Sequence, residues 1–145
     1  MKFFFNLKHY LYTGLREILV YHHNSLEFRA KIFALIIAVN RHPNACEYDI
    51  VFDAGMQIYK EDDRANMLQL TTKEYVQKIH KKNGLSIDGL IDDIHKEVRQ
   101  VPRYAHKINP EQLFLLCECT TDEDTSTYQI RIIEFLERVK KEYTL

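Results

Sequence analysis

The sequence predicts a single all-α domain of about seven helices. Apolar residues recur every three or four positions along almost the whole chain, and this is the period of one face of a helix. No stretch alternates apolar and polar residues for long enough to predict a β-strand. The chain has only 4 glycines and 3 prolines in 145 residues, which suits helices joined by short loops. We therefore expect one compact domain, residues 1–145, with its own buried core.

The first predicted helix runs from about Phe3 to Tyr21 and can be interpreted in two ways. Its apolar stripe can pack across the core of the domain. Alternatively, its aromatic start together with Lys2, Lys8 and Arg16 is typical of an amphipathic helix that lies on a membrane surface. The stripe consists of Phe4, Leu7, Leu11, Leu15, Ile18 and Leu19.

The second predicted helix runs from Ser25 to about Asn40, after a cap at Asn24 with Glu27 in the capping-box position. Its residues from Ile32 to Val39 are all apolar. A helix that is apolar on nearly all sides is buried, so this helix is predicted to be the central one.

The third and fourth helices are predicted from their end signals. Asn44 is the expected cap of the third helix, with Glu47 completing a capping box and the end near Tyr59. A short fourth helix is predicted to begin at Thr71 and to close at Gly84, because glycine adopts the left-handed turn easily. The residues just before Thr71 give no clear assignment.

The fifth and sixth helices have the clearest signals. Ser86 caps the fifth helix and Pro102 ends it. The sixth begins at Asn109 and Pro110, which are a cap and a first-turn proline, and runs through about Cys119. The fifth helix carries a regular apolar stripe: Ile87, Leu90, Ile91, Ile94 and Val98.

The seventh helix is predicted to begin near Ser126, with Gln129 in the capping-box position. A shift of 80 residues overlays the second and third helices on the sixth and seventh. This internal sequence similarity predicts two pseudo-repeated helix–loop–helix units that pack as equivalent halves of one core. The overlaid pairs include Leu35 with Leu115, Ile36 with Leu116, Tyr48 with Tyr128, and Ile50 with Ile130.

This arrangement resembles the TerB-like family of tellurite-resistance-associated proteins, from about Leu26 to the C-terminus. The family's loop typically reads Asp-Gly, with a small polar residue shortly after and an acidic residue seven positions past the Asp. In the second half Asp122 and Ser126 match this pattern. In the first half Asp49 supplies the closing acid, and His42 replaces the opening Asp. The resemblance implies an accessory, membrane-associated or scaffolding role in stress response, with possible divalent-metal binding.

Four residues of the two loops, His42, Asp49, Asp122 and Asp124, are therefore the first candidate metal ligands. If the loops lie side by side, these groups can converge on one divalent cation. Carboxylates suit calcium or magnesium, whereas the added histidine shifts the preference toward zinc or manganese. The alternative is that Asp122 and its neighbours are simply acids near the start of a helix, where the helix dipole favours them.

A second candidate set, Asp88, Asp92 and His95, lies beside the apolar stripe of the fifth helix. The spacing of four and then three residues places all three on one helical face, where two oxygens and an imidazole can bind a metal. The same pattern is typical of a solvated face.

The remaining signals argue against several classes of function. The 20 basic and 21 acidic side chains give a formal net charge of −1, so the basic excess of a nucleic-acid binder is missing. The sequence contains no nucleophile elbow, no paired zinc-binding histidines and no glycine-rich phosphate loop. We therefore predict that the protein is not an enzyme and needs no cofactor other than an optional divalent cation.

The three cysteines and the short apolar runs predict the location of the protein. An odd number of cysteines does not suggest a disulfide framework, so we expect a reducing compartment and buried, unpaired thiols at Cys117 and Cys119. No run approaches the ~20 apolar residues of a membrane-spanning helix. We predict a cytoplasmic protein.

Together these observations predict a non-enzymatic, TerB-like accessory or scaffold domain that binds a partner protein or a cation. Two alternatives remain. One is a metal-dependent enzyme that uses the loop acids or the set on the fifth helix, and the other is a peripheral membrane protein anchored by its first helix.

Overall fold

A computed structural model describes residues 24–82 and 84–144, and within these ranges it contains helices and no strand. This confirms the predicted all-α class for the described part of the chain. The predicted first helix, residues 3–21, lies outside the described residues. The elements are α1 Asn24–Ile37, α2 Ala45–Tyr59, α3 Asp62–His80, α4 Ile87–Gln100, a 3₁₀ helix Pro102–Lys107, α5 Pro110–Cys117 and α6 Glu123–Tyr143.

Helix α1 lies at the centre of the described fold, as its sequence predicts. Every side chain from Ile32 to Ala38 is buried, because α1 packs against α3, α4, α5, α6 and the 3₁₀ helix. An isoleucine, leucine or phenylalanine buried in this way stabilises the fold by about 1.5–3 kcal/mol. The core therefore forms around α1, and the other helices place their apolar stripes on it.

The start of α2 is fixed by the predicted capping box. The Asn44 side chain accepts a hydrogen bond from the backbone N–H of Cys46 at 2.8 Å, and Glu47 Oε2 accepts one from the backbone N–H of Asn44 at 2.7 Å. Asn40 also donates to Glu47 Oε1 at 3.4 Å. These bonds tie the loop after α1 to the first turn of α2.

Helix α3 begins at Asp62 rather than at the predicted Thr71. The polar stretch before Thr71 contains the signal that the sequence interpretation missed. Asp62 and Asp63 occupy the first turn, where the helix dipole stabilises acidic side chains. Its inward-facing residues then continue at helical spacing: Ala65, Met67, Leu68, Thr71, Thr72 and Val76. Helices α2 and α3 approach closely, since a Cβ added at Gly55 would lie 2.8 Å from the Ala65 Cα.

The predicted caps of α4 and α5 are confirmed. Ser86 Oγ accepts from the backbone N–H of Gly89 at 3.0 Å, and Asn109 Oδ1 accepts from that of Gln112 at 3.3 Å. Helix α5 ends at Cys117, slightly before the predicted end. The apolar stripe of α4 faces the core through Leu90, Ile94 and Val98, which are all buried.

The predicted start of α6 is wrong. Asp122 is the N-cap, so the helix begins at Glu123, and Ser126 lies inside it. Gln129 takes no part in capping. It is buried, and its Nε2 donates to the Ile36 carbonyl at 3.0 Å, which ties α6 to the last turn of α1.

The pseudo-repeat is only partly visible in the packing. Helices α1 and α5 end at Ile37 and Cys117, which the 80-residue shift overlays. Helix α5 packs against α6, however, whereas α1 packs mainly against α3 and α4 rather than α2. Burial also differs between overlaid residues, since Leu35 is 0% exposed and Leu115 is 46% exposed. The equivalence of the two halves stays a prediction.

Candidate ligand cleft between α2 and α3

A cleft of about 570 Å³ lies between the first turns of α2 and the second half of α3. Its volume falls within the range of about 300–1,000 Å³ that is usual for ligand sites. Apolar surface comes from Leu70 and Val76. Polar side chains surround this surface from both helices: Tyr48, Asp49, Gln69, Lys73, Gln77 and His80.

Hydrogen bonds between elements hold the walls of the cleft in place. Gln69 Nε2 on α3 donates to the backbone carbonyl of Tyr48 on α2 at 2.9 Å. His80 Nε2 lies 2.9 Å from the Ala38 carbonyl. A carbonyl only accepts, so Nε2 carries the proton in this contact. These two bonds fix α3 against α2 and against the end of α1.

Lys73 on α3 and Tyr48 on α2 are in contact across the cleft. The Lys73 ammonium nitrogen lies 5.4 Å from the centre of the Tyr48 ring, which is within the range of a cation–π interaction. Burial, and secondarily the negative charge of Glu47, raises the pKa of Tyr48 to about 12. The phenol therefore stays protonated at neutral pH, and it is a hydrogen-bond donor rather than a nucleophile.

Both charged groups of the cleft walls lack a counter-charge among the described residues. Lys73 and Asp49 are exposed and make no ion pair there. By contrast, the buried Glu47 behind them is satisfied by its two hydrogen bonds. Burial nevertheless raises the pKa of Glu47, because the loss of hydration outweighs the bonds from Asn44 and Asn40.

The four candidate metal ligands of the loops are all exposed. Asp122 caps α6, and its Oδ2 accepts from the backbone N–H and the hydroxyl of Thr125 at 2.9 and 2.6 Å. These bonds lower the pKa of Asp122. Asp49 lines the cleft. Neither His42 nor Asp124 joins it in a cluster: in the described ranges no three His, Cys, Asp or Glu side chains come together in a geometry that could hold a metal.

The three residues of the second candidate set, Asp88, Asp92 and His95, lie in different surroundings. Asp88 and Asp92 are exposed on α4. The His95 ring packs edge-on against Phe135 at 6.3 Å and Tyr143 at 6.5 Å, measured between ring centres. Packing between α4 and α6 therefore accounts for His95 without a metal.

The prediction of a buried, unpaired thiol at Cys119 is wrong. Cys46, in the first turn of α2, is bonded to Cys119, just after α5, with their Cα atoms 5.9 Å apart. The predicted buried thiol is confirmed at Cys117 alone, and burial raises its pKa. The bond joins the end of the first predicted loop to a residue just before the second. It also removes the argument from unpaired cysteines for a reducing compartment.

No helix in the described residues is both long enough and apolar enough to cross a membrane. Comparisons of the chain with protein-family models, with curated proteins and with solved structures find no match.

Proposed function

We propose that this domain is a non-enzymatic binding module that holds a short segment of a partner protein in the cleft between α2 and α3. The observation that carries the proposal is the composition of the cleft walls. Side-chain amides from Gln69 and Gln77 stand beside apolar surface from Leu70 and Val76. Amides bind peptide groups, and the apolar surface accepts side chains.

The charges of the cleft suggest what the segment contains. Lys73 offers an ammonium group and Asp49 a carboxylate, and neither makes an ion pair with another described residue. A segment with one acidic and one basic side chain satisfies both. Charges of both signs in one cleft also favour a specific partner. A segment with the opposite arrangement of charges would place like charges in contact and would bind less well.

The wider role in this proposal rests on the TerB-like resemblance, which suggests an accessory or scaffold protein in a stress response. A cytoplasmic location belongs to the same proposal, although the Cys46–Cys119 disulfide favours an oxidising compartment. Divalent-metal binding at the loops and membrane attachment through residues 3–21 are the competing functions.

Affinity capture from the native cell, followed by binding measurements with cleft variants, tests the proposal. The bait protein is prepared as wild type, Lys73→Met and Gln77→Ala. A matched control is Lys96→Met, which removes an exposed lysine on α4, away from the cleft. Each cleft variant should bind the captured partner about two- to twelvefold more weakly in calorimetry, since one hydrogen bond or cation–π contact contributes about 0.5–1.5 kcal/mol.

A partner that binds all four proteins equally would refute the cleft as the binding site. Capture of phospholipid vesicles by the wild type without any protein partner would favour the membrane function instead. Circular dichroism of each variant checks that the helices are intact.

A further inference from the structure

A second surface, on the side of Tyr59 and the 3₁₀ helix, collects basic side chains from three elements. Arg29 on α1 and Arg64 on α3 both lie against the Tyr59 ring, with their guanidinium carbons 5.6 and 5.9 Å from its centre. Arg29 also donates to the Tyr59 hydroxyl at 3.4 Å. The tyrosine thus positions two guanidinium groups.

The 3₁₀ helix adds Arg103 and Lys107 to this surface. Lys107 and Arg29 line one narrow cleft together with Asn109 and Gln112. Both cations are half-buried. The loss of hydration, followed by the nearby positive charges of Arg29 and Arg103, lowers the pKa of Lys107.

These cations have no acidic partner in the described part of the chain. No carboxylate of a described residue lies within ion-pair distance of Arg29, Arg103 or Lys107. Lys31 provides a comparison on the same helix as Arg29, because its ammonium pairs with Glu97 at 3.1 Å. Half-buried charges normally receive such a partner, since desolvation without pairing is costly. Within residues 24–82 and 84–144, this surface therefore has no counter-charge.

We infer that Arg29, Arg103 and Lys107 form a binding site for a phosphate group. A dianion offsets more of this positive charge than a single carboxylate does, and the planar guanidinium fork of arginine matches phosphate oxygens. The cleft itself has room of about 10 Å³, enough for about one water. The phosphate group therefore lies at its mouth, between the Arg29 and Lys107 head groups. This inference does not depend on the proposed peptide cleft.

Two sources can supply the phosphate group: a free phosphate ion, or the phosphorylated side chain of a peptide. Titrations of the full chain with inorganic phosphate and with a phosphoserine peptide distinguish them. The unphosphorylated peptide, and sodium chloride at equal ionic strength, serve as blanks. The ligand whose binding is tighter identifies the source.

Lys107→Met and Arg103→Gln are the test variants, and Lys96→Met, an exposed lysine on α4, is the matched control. Lys107→Met should keep the fold because it removes a repelled charge. Each test variant should weaken phosphate binding by about tenfold or more, whereas the control should bind as the wild type does. Phosphate also stabilises proteins generally by exclusion from their surface, and that effect is the same in all variants. Binding indistinguishable from chloride, or a phosphate affinity that survives in both test variants, would overturn the inference.

Discussion

Loss of the Cys46–Cys119 disulfide should destabilise the fold strongly, and the size of the effect follows from its position. The bond joins residues separated by 73 positions in the sequence. In the chain-entropy model, closing a loop of this length stabilises a protein by about 4.4 kcal/mol at 25 °C. An unfolding entropy of about 2.1 cal/mol/K per residue, for a chain of 145 residues, converts this into a melting temperature lower by about 14 °C.

The assay compares thermal melts of the wild type and of a Cys46→Ser/Cys119→Ser variant, each with and without a phosphine reductant. Reduction should lower the melting temperature of the wild type by the full amount of about 14 °C. The variant should already melt at this lower temperature, and the reductant should not change it. Thiol titration of the unreduced, unfolded wild type should find one thiol, that of Cys117. Three reactive thiols, together with identical melts, would refute the cross-link and the loop contact that depends on it.

Three further predictions follow from the core, the cap and the loops. Ile36→Ala or Leu116→Ala should each cost about 2–5 kcal/mol in urea unfolding, because both side chains are fully buried; a loss under about 0.5 kcal/mol at both would mean that neither helix is central. Glu47→Ala should cost about 0.5–1.5 kcal/mol because it removes the side-chain acceptor of the Asn44 backbone N–H and so breaks the capping box of α2. In the control Glu47→Gln, the amide oxygen still accepts the bond from Asn44. The pKa of Glu47 is raised in the folded state, so the stability of the wild type falls as the pH rises through that pKa. Urea unfolding at several pH values should show a smaller decline in the glutamine variant. Melts with calcium, magnesium, manganese or zinc should show no stabilisation, and a rise abolished by Asp122→Ala would instead establish the loops as a metal site.

The features that the sequence predicts well are those decided by a few neighbouring residues. The capping box of Asn44 and Glu47 and the Ser86 cap form as predicted because each depends on a contact spanning two or three residues. Burial of α1 is likewise encoded in its own apolar run. The error at the start of α3 is local too: acids at a helix start resemble a loop unless the helix dipole is considered.

The features that the sequence does not predict depend on contacts between distant segments. Gln129 stands at a capping position by its spacing from Ser126, yet tertiary packing directs its side chain to the Ile36 carbonyl, 93 residues away. Its Oε1 remains buried without a partner among the described residues. The α2–α3 cleft arises in the same way, because its two walls are joined by the hydrogen bond from Gln69 to the Tyr48 carbonyl, 21 residues away.

The disulfide bears on one premise of the predicted metal site, namely that the two loops lie close together. A metal site would need the two loops to lie together, and the bond joins Cys46, at the end of the first loop, to Cys119, which precedes the second. Proximity alone does not create a ligand set, because each ligand must also point at one centre. The Asp122 carboxylate is already engaged with Thr125, and Asp49 lines the cleft. Sulfur atoms thus link the segments next to the two loops, whereas the Asp122 carboxylate caps α6 and Asp49 lines the cleft.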